Sequence, residues 1–308
     1  MRTRKKFTLL VLMTLTLFLS SCSLPGLSEG TDKKAISIAA QTSTETQILA
    51  NIIKGMIEHY TEHRTNIVNN LGSTTMNHQA MLNGDVNISA GRYTGTDLSS
   101  TLMLPAEKDP EKAMKTVVHE FKTRYDQTWF PSYGFANTYA FMITKETAEK
   151  YNLKKISDMA AVSDELAVGV DTHWMRREGD GYEAFVDAYN MSFKQAYPMQ
   201  IGLVYDAVAA GRVDVVLGYS TDGRIASYDL VILEDDLKFF PPYDCSPLVT
   251  DELLEEYPEL EDILLKLAGK IDTQTMQELN FQADNNLLEP ETVAKNFLRE
   301  NNFFEEGN

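Results

Sequence analysis

The chain has 308 residues and carries 45 acidic against 28 basic side chains, a formal net charge of −17. That length leaves room for two domains with a core in each, and so acidic a surface argues against nucleic acid, whose phosphates need basic patches. Two cysteines, Cys22 and Cys245, leave almost no scope for a disulfide framework or a thiolate metal site.

The first predicted element is an export signal. Arg2, Arg4, Lys5 and Lys6 precede an apolar run, Phe7 to Leu19, interrupted only by threonines. The run is about 13 residues, short of the roughly 20 that span a bilayer. It ends in Leu19-Ser20-Ser21-Cys22. Small residues followed by cysteine mark a bacterial lipoprotein signal, cut before Cys22, whose thiol takes a diacylglyceryl group. Residues 1–21 are therefore predicted as signal peptide and 22–34 as a lipidated tether, with membrane attachment through the lipid on the outer face. With Cys22 lipidated, Cys245 has no cysteine partner.

The folded part is predicted to start near residue 35. Residues 35–40 read as a strand, and Thr42 and Glu45 have capping-box spacing before a helical stripe of Ile48, Leu49, Ile52, Ile53, Met56 and Ile57. A strand is expected at 66–68, a short helix at 77–83, and a strand at 85–90 running into a Gly-rich turn at Gly91–Gly95. A helix at 112–124, a strand at 139–144 and a helix at 145–151 follow. Strand 166–171, helix 181–189, helix 204–210 and strands 213–217 and 230–233 lead to a rigid loop at 239–243. Beyond it the chain is predicted to be helical, with one helix starting at Pro290. Strand and helix alternate, so the fold class is α/β.

Enzyme signals are weak. Gly218 to Gly223 has one residue too many for a G-x-S-x-G elbow around Ser220. Among the five histidines, His59-Tyr-Thr-Glu62-His63 matches H-x-x-E-H. Both histidines lie at the end of the first amphipathic helix, where the helix dipole alone favours imidazole. A surface metallohydrolase is the lesser alternative they leave, and no cofactor is expected.

The tyrosines point elsewhere. Tyr93, Tyr139, Tyr219 and Tyr243 fall at predicted strand ends or in adjoining loops, where α/β sheets place ligands. A quaternary ammonium has no N–H donor, but the negative faces of several rings can hold it. A carboxylate on the same ligand would need a donor from Gln41 or Thr96, or from an arginine clamp at Arg92 or Arg224.

Four segments carry a family resemblance: GRYTGTDL at 91–98, FANTYAF at 135–141, LGYSTDGRI at 217–225 and FFPPYDCSPL at 239–248. They resemble the substrate-binding lipoproteins of osmoprotectant ABC transporters, which bind glycine betaine, carnitine and choline in Gram-positive bacteria. The resemblance implies a two-lobed, type II periplasmic-binding-protein fold with the ligand in the cleft and two crossing strands as hinge. Lobe I is expected at 35–138 and 241–308, and lobe II at 139–240. It further implies an ammonium cage of Tyr93, Tyr139, Tyr219 and Tyr243, with the ligand carboxylate on Gln41. Thr96 falls on a specificity position, where threonine goes with a broad range and aspartate with choline alone. The expected protein is a non-enzymatic, monomeric receptor on the extracellular face of the cell membrane, delivering its ligand to an ABC permease and its ATPase. The same fold binding an amino acid or a polyamine is the alternative.

Overall fold

A computed structural model describes residues 35–177 and 181–304. The signal peptide, the tether and Cys22 lie outside the described residues. Within them, no helix is long and apolar enough to cross a membrane.

Strands β1 (Ile36–Gln41), β2 (Thr65–Leu71), β3 (Ile88–Tyr93), β4 (Gln127–Trp129) and β10 (Cys245–Thr250) form one sheet in the order β2-β1-β3-β10-β4. Strands β5 (Tyr139–Thr144), β6 (Ala167–Asp171), β7 (Gln195–Met199), β8 (Val215–Tyr219) and β9 (Leu230–Ile232) form a second, ordered β7-β6-β8-β5-β9. Each sheet has three parallel strands joined to an antiparallel one, β10 in the first and β5 in the second. The α/β expectation is met. The chain passes from the first sheet to the second between β4 and β5, and returns between β9 and β10. The two passages pair: Ala136 and Asp244 form an antiparallel bridge, flanked by Asn137 N–H to the Tyr243 carbonyl and Cys245 N–H to the Phe135 carbonyl, each 3.1 Å. These are the two crossing strands.

The first core is built on the Thr44–Tyr60 helix. Its apolar positions Ile48, Leu49, Ile52, Ile53, Met56 and Ile57 recur at helical spacing and are fully buried. The cap differs from the expectation. Ser43, not Thr42, accepts from the Thr46 N–H, and this one-residue shift turns Glu45 inward, where it is buried. The Pro290–Glu300 helix begins with its proline in the first turn, as predicted, and packs Val293, Phe297 and Leu298 on the same core. Gly55 permits the contact, since a Cβ there would lie 2.6 Å from Leu298 Cδ1.

The C-terminal third departs further from the sequence expectation. Residues 245–250 are a buried strand rather than part of a helical tail. Proline in a central strand normally argues against one. Here the register shifts between Ser246 and Leu248, so Pro247 sits at an irregularity where no N–H is required of it, and its carbonyl still accepts from Phe130 N–H. Tyr93 likewise ends β3 and directly precedes a short helix, Thr94–Ser100, in place of the expected turn. The second sheet is packed by Phe141, Val168, Val170, Val215 and Leu217 against Trp174, Phe185, Phe239 and Phe240.

Candidate ligand-binding site

A cavity of about 370 Å³ opens where both sheets present strand ends. Gln41, Tyr93, Thr96, Tyr139, Tyr219 and Tyr243, all six residues singled out from the sequence, line it, together with Ser43, Thr74, Asn137 and Arg177. Gln41, Tyr93 and Tyr219 are the last residues of the parallel strands β1, β3 and β8, and Tyr139 is the first residue of the antiparallel β5. All four backbones thus end at one place, the region where open α/β sheets bind ligands.

Each ring has its own support. Tyr139 and Tyr219 are register partners across β5 and β8, with ring centroids 5.3 Å apart and planes inclined by 30°. Behind Tyr139 lie Phe240 at 5.8 Å and Trp174 at 6.4 Å. Burial, then the neighbouring Tyr219, pushes the Tyr139 phenol well up from its usual range. Tyr219 is oriented through its backbone: its N–H donates to Tyr205 Oη at 2.7 Å. Gly218 gives Tyr205 the space, because a Cβ there would meet Tyr205 Oη at 2.7 Å. Tyr93 donates its phenol proton to Glu45 Oε1 at 2.6 Å, and burial, with Glu45 second, raises its pKa. Tyr243 is seated by Gly95, whose N–H donates to the Pro242 carbonyl at 3.0 Å and where a Cβ would lie 2.6 Å from that oxygen. Thr94 Oγ1 donates to the same carbonyl at 3.0 Å.

The polar end lies on the first sheet. Gln41 Nε2 donates to Thr74 Oγ1 at 3.4 Å, and Thr96 stands in the first turn of the Thr94–Ser100 helix. Neither arginine proposed as a clamp lines the cavity. Arg92 is fully buried and paired with Asp97. Arg224 is held by Asp222 and the Gly202 carbonyl, its guanidinium 4.3 Å from the Tyr205 centroid. Arg177, which no pattern in the sequence marked, does line it. Its guanidinium stands 5.5 Å from the Tyr139 centroid, with Nη2 3.3 Å from Tyr139 Oη.

The residues of the catalytic patterns have structural partners. Ser220 Oγ donates to the Ala136 carbonyl at 3.0 Å and accepts from Thr138 N–H at 3.1 Å, which ties β8 to the first crossing segment. His59 packs on Phe304 and Tyr60, while His63 pairs with Glu259 at 2.8 Å. Among the described residues, no group of three His, Cys, Asp or Glu is placed to hold a metal ion.

Two sheets linked by paired crossing segments, with a tyrosine-lined cavity at their strand ends, define a two-lobed solute-binding protein. The chain belongs to the family described as the substrate binding domain of ABC-type glycine betaine transport systems, whose model matches residues 34–300. It is 58% identical over 305 residues to the carnitine transport binding protein OpuCC of Listeria monocytogenes, covering 98% of this chain and 99% of that one. A crystal structure of a glycine betaine/carnitine/choline ABC transporter protein superimposes with a TM-score of 0.86 at 51% identity, covering 88% of this chain and 100% of that one. Apo YehZ from Escherichia coli shares the fold with a TM-score of 0.77 at 23% identity, covering 87% and 99%. The chain is thus a transport binding protein with a type II periplasmic-binding-protein fold, and not an enzyme.

Proposed function

We propose that this protein captures quaternary-ammonium solutes such as glycine betaine, carnitine and choline outside the cell, and passes them to an ABC permease driven by its ATPase. The convergence of Tyr93, Tyr139, Tyr219 and Tyr243 on one cavity is the observation that carries the reading. Several ring faces can enclose a trimethylammonium group that offers no hydrogen bond. The ligand carboxylate, where there is one, meets Gln41 Nε2 and the Thr96 hydroxyl. Lobe I comprises 35–138 and 241–308, lobe II 139–240, and the lobes close on the ligand about the crossing segments. The protein acts as a monomer held at the membrane by the lipid on Cys22.

Titration calorimetry on the folded domain tests this. The wild type should bind at least one of the three solutes at one site. Tyr→Ala at 93, 139, 219 or 243 should each raise Kd by about 2- to 30-fold, since a ring face contributes ~0.5–2 kcal/mol. No heat with any of the three, or binding of primary amines alone, would sink the reading.

A further inference from the structure

Glu45 is a buried carboxylate that accepts a hydrogen bond directly from a ring of the proposed cage. It is 4% exposed and accepts from three directions. Tyr93 Oη and Asn137 Nδ2 donate to Oε1 at 2.6 and 2.9 Å, and Asn280 Nδ2 donates to Oε2 at 3.2 Å. Asn137 lies on a crossing segment, and the Asn280 amide also donates to the Thr221 carbonyl at 2.8 Å. Three donors facing one group match an ionised carboxylate, which only accepts. No lysine or arginine is among these contacts, so its charge is not paired off locally as that of Asp97 is by Arg92.

We propose that Glu45 tunes the specificity of the cage: its fixed negative charge, passed to the ligand through Tyr93, favours a ligand of net positive charge over a zwitterion. The inference rests on the cage reading of the four tyrosines. Two effects act together. A phenol donating to a carboxylate carries more electron density in its ring, which strengthens the attraction for a cation on its face. The charge itself lies just beyond the Tyr93 hydroxyl at the ring's edge, in a partly desolvated site where charges are poorly screened. A cation such as choline receives the whole attraction. In glycine betaine the carboxylate, only a few bonds from the ammonium, is repelled and cancels most of it. Gln41 and Thr96 then set the affinity for the zwitterion, and Glu45 sets that for the simple cation.

Glu45→Gln separates charge from shape. The Asn137 and Asn280 Oδ1 atoms have no hydrogen-bond partner among the described residues, so an amide flip at Asn137 lets its oxygen accept from the new Gln amide. Calorimetry with choline chloride and with glycine betaine should show choline weakened by about tenfold or more and glycine betaine by about threefold or less. Tyr93→Phe, which removes the hydrogen bond but keeps the charge, should change the choline-to-betaine affinity ratio less than E45Q does. Equal losses for both solutes in E45Q, or no change in either, overturns the inference while leaving the cage reading intact. A wild type that binds carnitine but neither choline nor glycine betaine overturns this inference alone, and one that binds none of the three overturns the cage reading and this inference with it.

Discussion

Two arginines that could have competed for a ligand carboxylate are already neutralised inside the protein. Arg92 and Asp97 form a two-pronged pair with no exposed side-chain surface, and Arg224 grips Asp222 in the same manner. Beside the first pair lies His78, also buried, with ring centroids 4.5 Å from Tyr125 and 5.7 Å from Phe121. Burial, then the Arg92 charge, lowers its pKa from 6.5 to about 4, with Asp97 opposing. The unfolded chain therefore binds this proton at higher pH than the folded one. The stability that neutral His78 contributes is complete above pH 6.5 and is lost as pH falls through about 4. Urea midpoints should fall across that window, and His78→Phe should flatten that part of the slope. An identical slope in the variant contradicts the assignment. That Tyr93, Tyr139, Tyr219 and Tyr243 line one cavity was legible in the sequence from their places at predicted strand ends taken together with the family resemblance. Glu45 was not: its spacing from Thr42 fits a capping box, and only the cap at Ser43 reveals that it points inward. Arg177 had no signal at all, since the Arg176-Arg177 pair in a polar stretch looks like surface.

Among the elements, the Thr273–Asp284 helix ties the second sheet to the first. Gln277 Nε2 donates to the Ser220 carbonyl at 2.7 Å and Asn280 Nδ2 to the Thr221 carbonyl at 2.8 Å, just beyond the Tyr219 end of β8. Gly223 makes the approach possible: a Cβ there would stand 2.5 Å from the Phe281 backbone N and Cα. Those atoms belong to a helix and cannot swing aside as a side-chain tip would. Gly223→Ala should therefore push residues 220–224 off the helix, lower stability by about 1–3 kcal/mol as overpacking does, and weaken ligand binding through Tyr219. Unfolding midpoints and affinity together check this, and wild-type values for both would show that the contact gives way. Helices with a clear apolar stripe, such as Thr44–Tyr60, were legible from periodicity alone. Strand β10 was not, because Pro247 disguises it and only the irregular pairing with β3 admits proline there. Strand β4, with three residues, is too short for any alternation to register.

In the molecule as a whole, two sheets of the same design face a shared cavity, and the chain crosses between them twice through the paired segments around Ala136 and Asp244. The alternation of strands and helices made the α/β class legible. Strand order was not, because it depends on pairings between residues far apart in the chain, such as Tyr139 with Tyr219 and Tyr93 with Cys245, and the two crossing strands were expected only from the family resemblance. Tyr93 comes from the first sheet, Tyr139 and Tyr219 from the second, and Tyr243 from the returning segment, so under the proposed function an ammonium group enclosed by the four rings would draw both halves together. A crystal structure of the domain grown with choline would decide the matter. It should place the trimethylammonium group within about 6 Å of the centroids of all four rings, with no direct ion pair to a carboxylate. An ammonium outside the ring faces, or one held by an acidic side chain, would contradict the account.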